Sequence, residues 1–303
     1  MSNVTANVTE LGYLGFGVSN FAKWKEYATE VIGAEWFEEG DVVYLRFDLW
    51  HHRIVLHRDA CDDLLYVGWR VSDAEALAAM ADKLKAAKIA YTVGTAAEAS
   101  QRKVMGLLKL MSPGDIPTEI FWGPQVDAHK PFHPGRPLFG RFNTSDKLGF
   151  GHIVLRESGT AEPFYKTLGL KGTAEYKVEI PGGIVVTPVF MYCNDRQHSL
   201  AYALGPSPKR CHHMMLEYTD VKDMGQAHDI AKKKGVEFTM SIGTHANDGA
   251  LSFYTASPSG WQVELGWGVQ PSSQHQQYYT ADVFGHGVGK DGDGEGYGLG
   301  KDE

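Results

Sequence analysis

Short apolar runs alternate with amphipathic stretches along this chain, and the same order of runs occurs twice. Residues 66–91 align without a gap with residues 213–238. Both stretches have a strand-like apolar run, a Ser/Thr-Asp helix start, an Ala- and Lys-rich amphipathic helix and a second strand. Further along, residues 112–123 match residues 257–268. The sequence therefore predicts that a strand–helix–strand unit is repeated.

The preceding part of each copy repeats as well, since residues 13–36 resemble residues 151–172. Each has a strand, a turn and a helix that ends at a glycine, a residue that commonly terminates helices. A unit of about 140 residues is therefore duplicated with small insertions and deletions, and solenoid repeats have shorter periods. Each copy contains two strand–helix–strand modules, so the sequence predicts an α+β fold in two tandem domains.

Composition marks the borders of these domains. Residues 125–146 contain several Pro and Gly residues and lack hydrophobic periodicity, as linkers do. We therefore predict an N-terminal domain without a metal site at residues 1–124 and a C-terminal, catalytic domain at residues 147–284. Residues 285–303 are rich in Gly and Asp and cannot build a core, so we predict that they form a disordered tail.

Bulk composition narrows the classes of function. Hydrophobic residues make up 43% and charged residues 22% of the chain, which is typical of a soluble globular protein. The net charge of −8 argues against a nucleic-acid partner, because phosphates bind basic surfaces. Apolar runs fall short of the roughly 20 residues that span a membrane, and the N-terminus lacks signal-peptide features. The three cysteines form no paired motif, so we expect reduced thiols and a cytoplasmic protein.

Three metal-ligand-type side chains lie in short apolar runs of the second domain. They are His152 in GFGHIVL, His213 in CHHMMLEY and Glu264 in WQVELGW. Two imidazoles and one carboxylate form the ligand set of non-haem Fe(II) sites with open coordination positions. Each histidine taken singly is more typical of a hydrogen-bonded core residue, and His212 is a rival to His213 on the opposite strand face. If the three converge, the sequence predicts an iron enzyme that uses O2.

The duplication supplies an internal comparison for these positions. The alignment places Leu14 and Tyr66 of the first domain at the two histidine positions of the second. Glu119 falls at the position of the carboxylate, so a glutamate there is also compatible with a structural role in the fold. A metal site that needs all three ligands can therefore exist only in the second domain.

Five further polar residues lie on the strands and loops around these three. They are His198, His245, Asn247, Asp248 and Tyr254. Each of them singly is typical of a polar loop or strand-edge residue. Because they recur on successive strands of one module pair, a curved sheet could bring them together.

At this point the residues resemble a known family, the type I extradiol catechol dioxygenases of the vicinal oxygen chelate superfamily. The resemblance rests on the duplicated βαβββ module, the His, His and Glu set, and the segment GTHANDGALSFYTASPSGWQVE. In that segment the family signature corresponds to His245, Phe253-Tyr254, Pro258, Gly260 and Glu264. Ser257 departs from the acidic or amide residue usual before the proline, but it is not a ligand position. The resemblance extends from residue 1 to about residue 280.

The resemblance implies two domains with curved mixed sheets around a central cavity, and an oxidoreductase that cleaves a catechol ring beside the diol. The implied partner is a small aromatic diol, bicyclic or aryl-substituted, such as 2,3-dihydroxybiphenyl or 1,2-dihydroxynaphthalene. The implied cofactor is Fe(II), favoured over Mn(II), with O2 as co-substrate. Members of this type are often octamers, so a homo-oligomer is expected.

Site roles follow from the same resemblance. The implied metal ligands are His152, His213 and Glu264, and the implied catalytic residues are His198, His245 and Tyr254. The implied substrate contacts are His198, His245, Asn247, Asp248, Tyr254 and Val154. Two alternatives remain, a glyoxalase-type metal lyase and a metal-free binding protein on the same fold.

Overall fold

Two mixed β-sheets, one in each half of the chain, organise the computed structural model. It describes residues 6–145, 147–157, 159–180, 183–204, 207–272 and 277–288. The first sheet has eight strands, and the second has nine within those residues. Helices lie between the strands of each module. This arrangement confirms the predicted α+β class of two tandem units.

The first half contains eight strands and three α-helices. The strands are β1 (Glu10–Val18), β2 (Glu35–Glu39), β3 (Val42–Arg46), β4 (Ile54–Arg58), β5 (Leu64–Arg70), β6 (Tyr91–Val93), β7 (Val104–Met111) and β8 (Pro117–Pro124). The helices are α1 (Phe21–Glu26), which continues as a π-helix over Tyr27–Ile32, α2 (Ala74–Ala86) and α3 (Ala96–Arg102). The strand order in the sheet is β2-β3-β4-β1-β5-β8-β7-β6.

The described part of the second half contains eleven strands and two α-helices. The strands are β9 (His152–Leu155), β10 (Lys171–Tyr176), β11 (Val178–Ile180), β12 (Ile184–Val186), β13 (Val189–Tyr192), β14 (Leu200–Tyr202), β15 (Cys211–Tyr218), β16 (Phe238–Thr244), β17 (Leu251–Ala256), β18 (Gln262–Trp267) and β19 (Gln277–Tyr279). The helices are α4 (Glu162–Leu168), preceded by a 3₁₀ turn at Gly159–Ala161, and α5 (Val221–Lys233). The main sheet has the order β16-β17-β18-β15-β9-β14-β13-β10-β19, and β11 pairs with β12 separately.

The predicted duplication is visible in the strand pairing. In the first sheet β1 pairs antiparallel with β5, and these strands pair in parallel with β4 and β8 respectively. In the second sheet β9 and β15 form the same antiparallel centre, with β14 and β18 as their parallel neighbours. Each half therefore joins two βαβββ modules at their first strands, which places those strands in the middle of the sheet.

The predicted Ser/Thr-Asp helix starts are helix caps. Asp73 accepts a hydrogen bond from the backbone N–H of Ala76 at 2.8 Å, and Asp220 accepts one from Lys222 at 2.9 Å. Such side chains satisfy N–H groups that have no partner within the helix. The two longest helices, α2 and α5, thus begin at corresponding points of the repeat. No helix within the described ranges is long and apolar enough to cross a membrane.

Helix α1 of the first half packs against the turn between β17 and β18 of the second half. The indole N–H of Trp24 donates to Ser259 Oγ at 2.9 Å. The ring of Phe16 on β1 stacks on Trp261 with centroids 4.2 Å apart. Buried residues from both halves form one continuous hydrophobic core. The first half therefore supports the strands that carry the candidate ligands.

Replacing Trp24 by alanine should lower the free energy of unfolding by about 3–5 kcal/mol, the usual loss for a fully buried tryptophan. Trp24 has no exposed surface and contacts Trp261 across the two halves. Urea denaturation followed by far-UV circular dichroism measures the change. The same replacement at Trp267, which is 38% exposed, should change stability by less than about 1 kcal/mol. Equal losses for the two variants would contradict this packing account.

The predicted disordered tail needs correction over its first residues. Residues 289–303 lie outside the described residues, but 285–288 lie against β16, and His286 is fully buried. The backbone N–H of Ser241 donates to the carbonyl of Gly287 at 3.0 Å. The prediction of disorder from residue 285 onward is therefore wrong for residues 285–288, because their local pairing with β16 is invisible in composition.

Candidate metal centre

The three predicted ligands lie on adjacent central strands of the second sheet. His152 is on β9, His213 on β15 and Glu264 on β18. Met215 of β15 pairs with His152 on one side and with Glu264 on the other. His213 precedes Met215 by two residues, so its side chain leaves the same face of the sheet. Strand register therefore brings all three side chains to one point.

Distances within the group fit a metal ion. His152 Nε2 lies 3.3 Å from His213 Nε2 and 3.3 Å from Glu264 Oε2, and His213 Nε2 lies 3.6 Å from the same oxygen. Ligand atoms about 2.1 Å from a metal and about 90° apart lie about 3 Å from one another. All three residues are buried. A small contraction would thus place them in a facial arrangement around one ion.

The electrostatics of Glu264 point the same way. Its side chain is fully buried, and neither carboxylate oxygen has a hydrogen-bond partner among the described residues, although imidazole nitrogens lie 3.3–3.6 Å away. Burial alone would raise the pKa of this carboxyl, but His152 and His245 outweigh it and hold the pKa well below its usual value. A buried anion without hydrogen bonds costs several kcal/mol unless a cation compensates it. The donor set therefore fits a resident metal.

Glu119, the counterpart in the first half, has a protein cation instead. The guanidinium of Arg102 donates from Nε to Oε2 at 2.9 Å and from Nη2 to Oε1 at 2.9 Å. The Tyr13 hydroxyl donates to Oε2 at 2.7 Å. Arg102 ends helix α3 and lies over the Tyr66 ring at 3.7 Å. The first half thus neutralises the shared glutamate with an arginine, whereas in the described part of the chain Glu264 is contacted by histidines and by no arginine.

One position of the internal comparison is wrong by a residue. Tyr13, and not Leu14, faces Glu119, because Tyr13 pairs with Gly68 as His152 pairs with Met215. From Tyr13 onward β1 pairs with β5 in the register in which β9 pairs with β15, so Tyr13 and Leu14 correspond to His152 and Ile153. The match of residues 13–36 with residues 151–172 could not reveal this register.

Replacing Glu264 and Glu119 by glutamine should produce opposite effects. The Glu264 variant should lose its metal yet fold at least as stably as the metal-free wild type, because an unpaired buried charge is removed. The Glu119 variant should keep its metal and lose about 1–3 kcal/mol of stability, because Arg102 loses its partner while staying partly exposed. Metal analysis and urea denaturation of both proteins measure the difference. Metal loss in the Glu119 variant would contradict the assignment.

The choice between His212 and His213 follows from a second register shift. Strand β15 is irregular between Cys211 and His213 where it pairs with β9, so His212 lies at a bulge. His212 Nδ1 lies 2.8 Å from His213 Nδ1, which leaves His213 Nε2 directed at His152 and Glu264. Burial lowers the pKa of His212 to about 4, so this ring is neutral at pH 7. His212 thus orients the ring of His213 through Nδ1, the nitrogen that faces away from the other two candidate ligands.

His198 lies beside the three candidate ligands, between β13 and β14. Its ring centroid is 4.0 Å from that of His152 and 4.8 Å from that of Phe190. Its Nδ1 lies 2.5 Å from Gln197 Oε1, so Nε2 is the nitrogen available to the cavity. Burial, aided by His152, lowers the pKa of His198 well below its usual value. A neutral imidazole in this place can accept a proton.

His245 and Tyr254 lie on the opposite side of Glu264. Tyr254 on β17 pairs directly with Glu264 across the strands. His245 Nε2 lies 2.6 Å from the Tyr254 hydroxyl and 3.4 Å from Glu264 Oε1. Burial lowers the pKa of His245, but Asp282 and Glu264 outweigh it and raise the pKa well above its usual value. Burial raises the pKa of Tyr254 well above its usual value as well, so the phenol keeps its proton.

The cavity in front of these residues has a volume of about 280 Å³. Val154 and Asn247 line it, and the Asn247 Nδ2 group is buried without a hydrogen-bond partner among the described residues. Asp248 does not line the cavity. It is fully buried behind His198, with 4.0 Å between His198 Nδ1 and Asp248 Oδ2. The apolar part of the wall comprises Val154, Val186, Pro188, Phe190, Leu204, Met240, Ala281 and Val288.

Two residues of this site were not predicted from the sequence. Asp282 lines the cavity and contacts His245, and His286 lies behind Asp282. Asp282 falls two residues before the predicted end of the domain, and His286 falls two residues beyond it in the Gly-rich tail. The apolar run YYTADVF just before Gly285 is a local signal of an ordered segment that could have extended the prediction.

Comparisons with known proteins agree with this geometry. Residues 149–265 match the family model described as Glyoxalase/Bleomycin resistance protein/Dioxygenase superfamily, and residues 11–58 match Dihydroxybiphenyl dioxygenase BphC D1. The chain is 53% identical to biphenyl-2,3-diol 1,2-dioxygenase of Sphingomonas paucimobilis, with 96% of this chain and 97% of that protein covered. It is 51% identical to 1,2-dihydroxynaphthalene dioxygenase of Sphingobium xenophagum, covering 97% and 98%.

A solved structure extends the likeness to three dimensions. A crystal structure of catechol 2,3-dioxygenase superposes with a TM-score of 0.89 at 52% identity, covering 92% of this chain and all of that one. Identity of this size over nearly the full length of each relative establishes common family. The chain therefore belongs to the type I extradiol catechol dioxygenases of the vicinal oxygen chelate superfamily.

Proposed function

We propose that this chain cleaves the ring of an aryl-substituted or bicyclic catechol beside its diol, using O2 and a resident metal. Substrates of this class are 2,3-dihydroxybiphenyl and 1,2-dihydroxynaphthalene. The observation that carries the proposal is the buried Glu264 carboxylate, which has the imidazoles of His152 and His213 together on one oxygen and no hydrogen-bond partner among the described residues. Relatives above 50% identity are named for the diols of biphenyl and naphthalene, which supports this substrate class.

The metal in this proposal is Fe(II), held by His152, His213 and Glu264. Two neutral imidazoles and one carboxylate are the facial ligand set of Fe(II) oxygenases. Mn(II) binds the same ligands, but this set is less typical of Mn(II). When bound, such an ion supplies adjacent positions for both diol oxygens and for O2 and favours the ionised diol. Holding the reactants side by side removes much of the orientational barrier.

His198 is the proposed acid–base residue. Its burial keeps the ring neutral, and its Nε2 is free to act while Nδ1 is held by Gln197. The ring can therefore accept a proton at Nε2 from a hydroxyl of the bound diol and later return it to an oxygen of the reacting substrate. A positioned base of this kind contributes about 10²–10⁴-fold to a rate.

His245 and Tyr254 are the proposed anchors of the substrate diol. Their polar atoms, 2.6 Å apart, lie on the Glu264 side of the site, opposite His198. Hydrogen bonds from the Tyr254 hydroxyl and His245 Nε2 would stabilise an ionised diol oxygen and fix its direction. Asn247 and Val154 would contact the substrate from the cavity wall, and Asp248 would support His198 from behind.

Product identity tests the proposal. Metal-loaded protein should convert 2,3-dihydroxybiphenyl into a yellow, ring-opened hydroxy-oxo dienoic acid that contains both atoms of O2, as measured by mass spectrometry with labelled oxygen. Catechol, 3-methylcatechol and 1,2-dihydroxynaphthalene complete the panel, and we expect the larger diols to give the higher kcat/KM. A diacid opened between the hydroxyls, or no product from any of the four, would overturn the proposal.

The proposed function also includes the extent of the catalytic unit, the location of the protein and its assembly. We propose that the catalytic unit comprises the predicted residues 147–284 together with residues 285–288, which lie against β16. We also propose a cytoplasmic protein, a location that the three free cysteines favour. We also propose a homo-oligomer, an octamer by family resemblance. The exposed side chains of Val93, Met105 and Met111 on the outer strands of the first sheet support assembly. Light scattering that returns the 33.4 kDa mass of one chain would contradict it.

A further inference from the structure

We propose that Asp282 is a positioning residue that fixes the imidazole of His245, and that His286 holds Asp282 in place. The proposal rests on the substrate-anchoring role given to His245 above. Residues 281–288, here called the C-terminal strap, would thus serve the site directly, although their composition resembles a disordered tail.

Hydrogen bonds join Asp282 to both His245 and His286. Asp282 Oδ1 lies 3.0 Å from His245 Nδ1, and Asp282 Oδ2 lies 2.8 Å from His286 Nδ1. Both carboxylate oxygens are therefore engaged by imidazoles, and Asp282 itself is buried. Burial opposes ionisation, but the two histidines outweigh it and lower the pKa of Asp282 to about 2. The carboxylate thus stays an acceptor for the N–H at Nδ1 of His245.

His286 anchors this pair to the sheet. Its ring is fully buried, and its Nε2 lies 3.3 Å from the Ser252 hydroxyl on β17. The ring centroids of His286 and His245 are 4.2 Å apart at 37°, so the rings also pack against each other. His286 therefore fixes Asp282 through a hydrogen bond and limits rotation of His245 through contact.

Backbone hydrogen bonds hold the strap along β16. The N–H of Thr244 donates to the carbonyl of Phe284 at 2.9 Å, and the N–H of Val283 donates to Thr244 at 2.9 Å. A Cβ at Gly243 would lie 2.5 Å from the backbone N of His286. A Cβ at Gly285, where φ is +74°, would lie 2.1 Å from a carbonyl oxygen of β16. Two glycines thus permit a close approach that side chains would prevent.

The consequence concerns ring orientation. With its Nδ1–H donated to Asp282, His245 directs Nε2 at the Tyr254 hydroxyl. Without Asp282, the ring could turn and exchange its two nitrogens. An acceptor of this kind behind a working imidazole commonly changes affinity or activity by about 10–100-fold. Asp282 contacts none of the three candidate metal ligands, so its loss should leave metal binding intact.

A double-mutant cycle on the metal-loaded protein tests this. The D282A variant should retain wild-type metal content, bind 2,3-dihydroxybiphenyl more weakly in the absence of O2, and lose about 10–100-fold in kcat/KM. In an H245A background the same change should cost less than about twofold, because Asp282 acts only through His245. The D282N variant, which keeps an acceptor oxygen, should recover part of the loss. The V283A variant, altered at a half-exposed strap residue outside the cavity wall, is the matched control.

Several results would overturn the inference. An equal loss from D282A with and without His245 would mean that Asp282 acts by another route. Loss of metal, or equal losses in D282A and V283A, would indicate a general structural role of the strap. Wild-type activity in D282A would remove the role altogether. A wild-type protein that converts no diol would instead overturn the proposed function, and this inference with it.

Discussion

Replacement of His213 by alanine should leave the purified protein with about a tenth or less of the metal that the wild type retains. His213 supplies one of the three candidate ligand atoms, and its Nε2 lies within 3.6 Å of both others. Two remaining ligands hold a divalent ion weakly, because each lost bond must be replaced by water. Inductively coupled plasma mass spectrometry after gel filtration measures the retained metal, and diol cleavage should fall in proportion.

The adjacent histidine is the matched control. Alanine in place of His212 removes the group behind His213 Nδ1 but no ligand atom, so metal should remain after gel filtration. We expect affinity to weaken about 10–100-fold, as for other residues that orient ligands. If the His212 variant loses its metal while the His213 variant keeps it, the register assigned to β15 is wrong.

Replacement of His198 by glutamine should lower kcat by about 10²–10⁴-fold while metal content stays unchanged. His198 lies beside His152 but outside the group of three ligand atoms, and its buried ring is neutral. Glutamine preserves size and polarity and cannot move a proton at pH 7. Stopped-flow absorbance of product formation, with metal analysis of the same sample, measures both quantities.

The first half offers a histidine of similar setting for comparison. His57 lies 2.8 Å from the Tyr66 hydroxyl, and burial lowers its pKa to about 4. The same glutamine replacement there should leave kcat within about twofold of the wild type. His57 lies far from the candidate metal centre, and distant substitutions rarely affect its chemistry. A wild-type kcat in the His198 variant would remove this residue from the proposed proton transfers.

The duplicated fold could be predicted because periodicity and helix caps are local. Asp73 and Asp220 mark the same helix start in both copies, and they cap α2 and α5. Register is a property of paired strands, so the pairing with Gly68 that turns Tyr13 toward Glu119 left no sign in the sequence. The alignment consequently named Leu14 for that position.

Much of the site was predictable because the residue types are rare in apolar strands. His152, His213 and Glu264 do meet, as expected if their strands are neighbours. The arginine that satisfies Glu119 could not be foreseen, since Arg102 reaches it from a separate helix. Asp282 and His286 were missed because tertiary pairing with β16, and not local propensity, orders the segment that carries them.

Metal-dependent uptake of O2 tests the central claim most directly. Protein stripped with a chelator and reconstituted anaerobically with Fe(II) is given 2,3-dihydroxybiphenyl in an oxygen electrode while visible absorbance is followed. We expect no uptake by the stripped protein, and after reconstitution one O2 consumed for each diol as the yellow product forms. Equal turnover by the stripped and reconstituted proteins, or no uptake by either, would contradict a metal centre built from His152, His213 and Glu264.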